Sequence, residues 1–289
     1  MLWLFDVKPD LHQKFSWGKI TDSSIKNSFL VNNLLSDLDL IPNDVFDFQI
    51  EDMLEAFKGR FPTTKEFSKY ARNSLDDTSL ILEDPDQLLI NWMEQEEFLF
   101  RALEKTIVSE RLMEGFVLAN GVDIDGFLSF SLSVQNRRKS RVGHAFENHL
   151  EVIFKEFSLF YQRGARTENN SKPDFIFPHL EAYKSPQFNP EYLTMLGVKT
   201  TCKDRWRQVL SEAKKIDQKH LITLEPAISE NQTDEMKSNK LQLVIPKPIQ
   251  DSYSNNQKGY LWSLKDLILE LKSRQEYAIK NGYLIKSLF

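Results

Sequence analysis

Three side chains in the second half of the chain have the types that hydrolysis of a phosphate ester requires: Asp174, Lys199 and Glu212. Asp174 follows Pro173 at the head of a short apolar run, Phe175-Ile176-Phe177, and Lys199 closes a longer one from Tyr192 to Val198 that is rich in branched and aromatic residues. Both runs read as buried strands. Beyond Lys199, Trp206, Val209, Leu210, Ala213 and Ile216 recur at helical spacing, which predicts a helix from Asp204 to Asp217 with Asp204 as its N-cap. At about 100° per residue, Arg205, Gln208 and Glu212 share one flank of that helix. Folded back on its sheet, the helix returns Glu212 toward Lys199 and Asp174. Breaking a phosphodiester requires a nucleophilic water, charge stabilisation at phosphorus and help for the leaving oxygen. Mg²⁺ supplies much of this where carboxylates hold it and a lysine stands near the water.

The order Pro-Asp at one strand start and Lys at the neighbouring strand end has the layout of a PD-(D/E)xK nuclease. The usual acid two residues before the lysine is replaced by Gly197, so the second carboxylate must come from elsewhere, and Glu212 is placed to supply it. Glu147, at the edge of an apolar helical face, is either a boundary residue or a further acid of the site. Cys202 has no histidine placed as a base beside it and reads as a small buried filler. The five histidines (His12, His144, His149, His179 and His220) make no ligand spacing with it, so zinc is not expected.

The elements that must position these residues form an α/β fold, a mixed central sheet flanked by helices, with a helical N-terminal part. Short helices are expected around Phe29 to Leu38 and Phe48 to Phe57, joined by a turn at Ile41-Pro42-Asn43-Asp44. Thr63 and Glu66 suggest a capping box. Asp86 to Phe116 reads as one long helix or two in sequence, Phe127 to Val134 as a helical piece, and Gly143 to Phe157 as a separate helix. Further strands are expected at His220 to Leu224 and Leu241 to Ile245, a polar loop from Ser229 to Lys240, and a closing helix from Leu261 to Arg274. We divide the chain into an N-terminal helical region, residues 1–80, and a catalytic domain, residues 81–289.

A chain of 289 residues with 41% hydrophobic content can bury a substantial core. One cysteine excludes an intrachain disulfide framework, and neither a signal segment nor a membrane span is visible, so the expected location is the cytoplasm. The net charge of −5 speaks against a polyanionic partner, but the charge is uneven. From Leu75 to Phe100 there are eight acids and no Lys or Arg. From Lys199 to Lys219, seven bases face three acids, and Arg137-Arg138-Lys139-Ser140-Arg141 forms another basic cluster. Local field governs binding to nucleic acid, so two basic patches keep that partner open, the alternative being solvated helix faces.

Longer blocks carry a more specific signal. Val198 to Gln208, Asn136 to Arg141 with Gly143 and Glu147, Lys172 to Pro178, and Leu243 to Lys247 closely resemble the catalytic domains of EcoRII-type restriction endonucleases, over roughly residues 85 to 275. The resemblance implies a Mg²⁺-dependent type II endonuclease that cuts double-stranded DNA at sites beginning with CC and ending with GG (CCNGG or CCWGG). It further implies a homodimer acting beside a cognate DNA methyltransferase with which it forms no stable complex. By it, Asp174, Lys199 and Glu212 match catalytic residues and Glu147 an acid assisting the metal site. Asp174, Glu212 and Glu147 would hold the metal. Lys203, Asp204 and Arg205 match residues that read outer base pairs. That suits a C·G step, since Arg can donate twice to guanine and Asp can accept from cytosine. The alternative for Arg205 is an ion pair with Glu212. Arg137, Arg138, Lys139, Arg141 and Arg207 are expected on the DNA backbone. Some relatives flip the central bases against an aromatic side chain. Trp92, Phe67 and Tyr70 are candidates here, with core packing as the alternative. Two other readings stand beside the endonuclease: a DNA-binding protein of the same fold that does not cut, and a nuclease acting on modified or otherwise different DNA.

Overall fold

The computed structural model describes residues 44–75, 80–202 and 205–284. The chain divides into two compact units, Met1–Phe48 and Gln49–Phe289. The helices expected near Phe29 to Leu38 and the Ile41 turn lie outside the described residues.

Helix α1 spans Asp44–Phe57 and α2 spans Thr64–Asn73. Thr63 caps α2 as its sequence predicts: its hydroxyl accepts from the Glu66 amide while the Glu66 carboxylate accepts from the Thr63 amide. Two long helices follow, α3 (Pro85–Glu114) and α4 (Ile124–Glu156), joined by a two-stranded ribbon of β1 (Val117–Leu118) and β2 (Gly121–Val122). At 1.5 Å per residue each helix is about 45–50 Å long. The pieces expected at Phe127 to Val134 and Gly143 to Phe157 are one continuous helix, since nothing in the basic stretch between them breaks the backbone ladder.

The central sheet has the order β3 (Gln162–Arg163), β4 (Phe175–Phe177), β5 (Thr194–Lys199), β6 (Lys219–Thr223), β7 (Leu241–Val244). It is mixed: β3-β4 and β4-β5 are antiparallel, β5-β6 and β6-β7 parallel. Helix α5 (Trp206–Leu210) follows β5, α6 (Glu230–Ser238) follows β6, and α7 (Leu264–Lys280) closes the chain. The stretch expected as a loop from Ser229 to Lys240 is thus mostly helix: the Ser229 hydroxyl caps it and Thr233 and Met236 bury a narrow face.

Alternation along the strands sorts the core into two layers. Phe175, Phe177, Leu196, Val198, Ile222 and Val244 face Phe146, Leu150 and Phe154 of α4 and Leu264, Leu267 and Leu271 of α7. Ile176, Met195, Leu221 and Leu243 face the other way, onto Trp206 and Val209 of α5 and Met236 of α6. Each fully buried Leu or Phe contributes on the order of 1.5–3 kcal/mol. A third cluster joins α1, α2 and α3 through Met53, Phe67, Ala71, Leu99, Phe100 and Leu103. Trp92 and Phe67, two candidates for stacking a flipped base, are core residues, each 2% exposed. Tyr70 instead donates its hydroxyl proton to Asp52 at 2.5 Å.

Candidate active site between strands β4 and β5

Asp174 immediately precedes β4, and the antiparallel register that sets Phe175 opposite Leu196 brings it beside the C-terminal end of β5. Its Oδ2 accepts from the Val198 main-chain N–H at 2.6 Å and from Lys199 Nζ at 2.8 Å. Both side chains are 19% exposed, so the pair is screened only in part by water. Lys199 Nζ also donates to the Val198 carbonyl at 3.1 Å, which fixes the ammonium at the strand end.

Glu212 reaches this pair by a different route from the predicted one. Helix α5 ends at Leu210, and Glu212 lies in the turn beyond it, its amide donating to the Val209 carbonyl at 3.1 Å. The next residue, Ala213, has φ of 46°, a left-handed conformation in which an α-helix cannot continue. Glu212 Oε2 is buried with no hydrogen-bond partner. Burial pushes the carboxyl from the usual 4.5 up to about 7; Lys199 opposes this, Asp174 adds to it and Lys219 opposes it. A buried, unpartnered carboxylate oxygen within electrostatic reach of a second carboxylate is costly in a protein interior, and a divalent cation held by the two acids would relieve the cost. The donor set of Asp174 and Glu212, both hard oxygen ligands, fits Mg²⁺ chemistry.

Gly197, which stands where a second acid was expected, has a packing role. A Cβ built there would meet Val209 Cγ2 at 2.8 Å and Cγ1 at 3.2 Å. The absent side chain is what lets α5 lie directly on β5.

Glu147, expected as a third acid of the metal site, is not brought into this group. It arises from α4, on the opposite face of the sheet, and its Oε2 lies 2.9 Å from both Nε and Nη2 of Arg163. Arg163 also binds Asn148 and Glu151, so it ties Glu147 to its own helix. Among the described residues no three His, Cys, Asp or Glu side chains form a metal-holding cluster. Arg163 carries no sequence signal that singles it out, because its partners lie a dozen or more residues away on another element.

The expected DNA-contacting residues separate into three groups. Lys203 and Asp204 lie outside the described residues, and Arg205, which takes the N-cap position of α5, is exposed. Arg137 and Lys139 are exposed on α4. With Pro62, Thr63, Ser133 and Asn136 they line an open groove of about 650 Å³. Arg137 also lies over the Phe61 ring at 4.1 Å. The remaining arginines are committed to acids. Arg141, expected at the backbone, is 5% exposed and bound to Glu96 and Glu97. Arg138 holds Glu104 at 2.5 Å, and Arg207 pairs with Glu235 at 2.8 Å across to α6. Arg141 belongs to a buried network in which Arg72 donates to His149 at 3.0 Å and Glu96 stands 3.0 Å from the other His149 nitrogen. Cys202 is buried, and burial pushes its thiol up to about 12, which leaves it inert.

A mixed five-stranded sheet between helices, with an aspartate and a lysine side by side where two central strands meet, defines the restriction-endonuclease class of folds. Comparison with solved structures agrees. The fold matches that of the PspGI restriction endonuclease in its substrate DNA complex, with a TM-score of 0.62 at 17% identity over 75% of this chain and 94% of that one. It also matches Ecl18kI, solved metal-depleted with uncleaved, modified DNA, with a TM-score of 0.60 at 17% identity over 83% of this chain and 87% of that one. Residues 100–268 match the family model described as EcoRII C terminal. The type II restriction enzyme EcoRII of Escherichia coli is 41% identical over 213 residues, 73% of this chain. The chain therefore belongs to the EcoRII C-terminal family. It spans about half of that relative, 51% of its length.

Proposed function

We propose that this chain is a type II restriction endonuclease: a Mg²⁺-dependent enzyme that hydrolyses phosphodiester bonds of double-stranded DNA at a short CC…GG site, CCNGG or CCWGG. The observation that carries this reading is the buried, unpartnered Glu212 oxygen within electrostatic reach of the Asp174–Lys199 pair, in a chain 41% identical to EcoRII.

Asp174 and Glu212 would hold Mg²⁺, which when bound neutralises phosphate charge and makes its bound water more acidic. Lys199 is pinned by Asp174 and the Val198 carbonyl, and its ammonium would stand beside the attacking water and the phosphate oxygens. Glu147 would join the site only after exchanging its Arg163 partner. Arg205 and its neighbours Lys203 and Asp204 read the C·G edges in the major groove, each good pair contributing about 1–3 kcal/mol of discrimination. Arg137 and Lys139 carry the backbone contact, while Arg138, Arg141 and Arg207 serve chiefly the protein's own ion pairs.

A near-palindromic site asks for two copies of the active site related by a two-fold axis, so the enzyme acts as a homodimer. An exposed apolar surface where α3 ends and α4 begins supports this: Leu112, Met113, Val117, Leu118, Val122, Ile124, Leu128 and Leu132 are each more than half exposed. The cognate DNA methyltransferase is a functional partner without a stable complex. Digestion of plasmids carrying each CCNGG variant with Mg²⁺ tests the reading. Discrete fragments whose ends map to CC…GG sites are expected. Intact plasmids throughout would overturn it, and smears or cutting only of methylated DNA would replace it with a different nuclease.

A further inference from the structure

The turn that carries Glu212 is closed by two main-chain bonds of its own, Glu212 N–H to the Val209 carbonyl at 3.1 Å and Ile216 N–H to the Ala213 carbonyl at 2.9 Å, and is braced further by side chains around it. Ala213 is left-handed, and four main-chain groups from Ala213 to Ile216 are bound by side chains, two by Lys219 just downstream and two by residues more than thirty positions upstream. Lys219, at the start of β6 and 5% exposed, sends its ammonium back to the Ala213 carbonyl at 2.8 Å and to the Ile216 carbonyl. On the other side, the Lys214 amide donates to the Glu168 carboxylate, and the Lys215 amide donates to the Tyr183 hydroxyl at 3.2 Å. That hydroxyl itself donates to Glu168, with its oxygens at 2.7 and 2.8 Å. Lys215 Nζ completes the frame by donating to the Tyr183 carbonyl at 3.0 Å and the Ser185 carbonyl at 2.5 Å. The result is a clamp on both edges of one turn, built by a buried ammonium and a Tyr-carboxylate pair.

We propose that Lys219, Tyr183 and Glu168 are positioning residues whose task is to hold the Glu212 turn against the Asp174–Lys199 pair. Two features separate this from ordinary loop stability. First, a buried ammonium is expensive, and here its ordinary tendency to stay protonated is lowered by burial while three acids, Glu168, Asp217 and Glu212, support its charge. Apolar packing would stabilise a turn at less cost. Second, none of the three side chains touches Asp174 or Lys199 by any hydrogen bond or ion pair among the described residues. Their influence on the site therefore runs only through the backbone that delivers Glu212. A carboxylate that must stay unpartnered until a cation arrives cannot anchor itself, so the anchoring falls to its neighbours. Outer residues that orient a ligand typically change metal affinity or activity by about 10–100-fold when altered.

This inference rests on the endonuclease reading, and its test separates the two. Tyr183→Phe removes one hydroxyl and keeps the ring, and Lys219→Met removes the ammonium while keeping most of the stem. Three quantities are measured for each variant and for the wild type: Mn²⁺ binding to the DNA-free protein by electron paramagnetic resonance, duplex binding in EDTA, and single-turnover cleavage across a Mg²⁺ titration. For Tyr183→Phe, Mn²⁺ affinity and cleavage at limiting Mg²⁺ should each fall about 10–100-fold. Duplex affinity in EDTA should stay within about twofold, and excess Mg²⁺ should recover much of the rate. Lys219→Met should act in the same direction if it folds, and Tyr183→Phe decides the matter if it does not. Wild-type Mn²⁺ affinity and Mg²⁺ dependence in a folded Tyr183→Phe protein would overturn the proposal. So would a parallel loss of duplex binding and metal binding, the mark of a merely structural role. If the wild type binds Mn²⁺ through Glu212 but never cuts DNA, the endonuclease reading fails while the clamp stands.

Discussion

Replacing Glu212 with Gln should make the protein more stable at alkaline pH while abolishing its chemistry. The folded protein binds a proton at Glu212 more tightly than the unfolded chain does, its carboxyl being pushed from 4.5 up to about 7 by burial. Between those two values the folded state holds more protons than the unfolded one, so stability falls as pH rises through the window and stays low above it. The difference between 4.5 and about 7 corresponds to roughly 3 kcal/mol, and because the residue is only partly buried, solvent screening reduces the expected effect to about 1–3 kcal/mol. Gln cannot ionise and escapes the penalty. Urea denaturation in EDTA at a series of pH values from 4.5 to 8 measures this directly. The two proteins should converge toward pH 4.5 and diverge with rising pH, the Gln variant ahead by about 1–3 kcal/mol at pH 8. Mg²⁺ should then raise the stability of the wild type at pH 8 and leave the variant unmoved. Parallel profiles across the whole range would show that Glu212 is not a strained carboxylate and needs no cation to offset its burial.

Other consequences follow from individual contacts. Gly197→Ala should destabilise the fold by about 1–3 kcal/mol through overpacking against Val209, read as a lower melting temperature that Gly197→Ala combined with Val209→Ala partly restores. Arg141→Ala should cost about 3–5 kcal/mol because it strands the buried Glu96, whereas Lys139→Ala should leave urea stability unchanged and reduce the salt slope of DNA binding by about 1. Equal stability losses in the two variants would contradict this division. Asp86 accepts from the amides of Lys247, Leu264 and Lys265 at 3.0, 2.7 and 3.0 Å, so Asp86→Ala should cost at least about 3 kcal/mol in chemical denaturation.

Much of the sheet was legible because its strands are short apolar runs with both faces buried, and the Thr63–Glu66 cap was legible because its partners are three residues apart. The Asp174–Lys199 pair was legible because it sits at the ends of two such runs. The extent of α5 was not, since Ala213 and Ile216 keep helical spacing. They do so as core contacts of a turn whose main-chain groups are satisfied in part by Glu168 and Tyr183, more than thirty residues upstream, and no local pattern reports such long-range bonds. Helix α6 was missed for a related reason: only Thr233 and Met236 are buried along it, so its apolar face is too narrow to show. Arg138 and Arg141 looked like a basic patch because their acids, Glu104 and Glu96, stand far upstream on α3 and cancel them only once the two long helices pack.

The central claim is that Asp174, Lys199 and Glu212 act on DNA as one unit, and it is tested most directly by single-turnover cleavage of a CC…GG duplex with Mg²⁺. The wild type should cut both strands, while Lys199→Met and Glu212→Gln should bind the duplex in EDTA as tightly as the wild type and cut at least about 10³-fold more slowly. Cutting by either variant at a rate near that of the wild type would contradict the account.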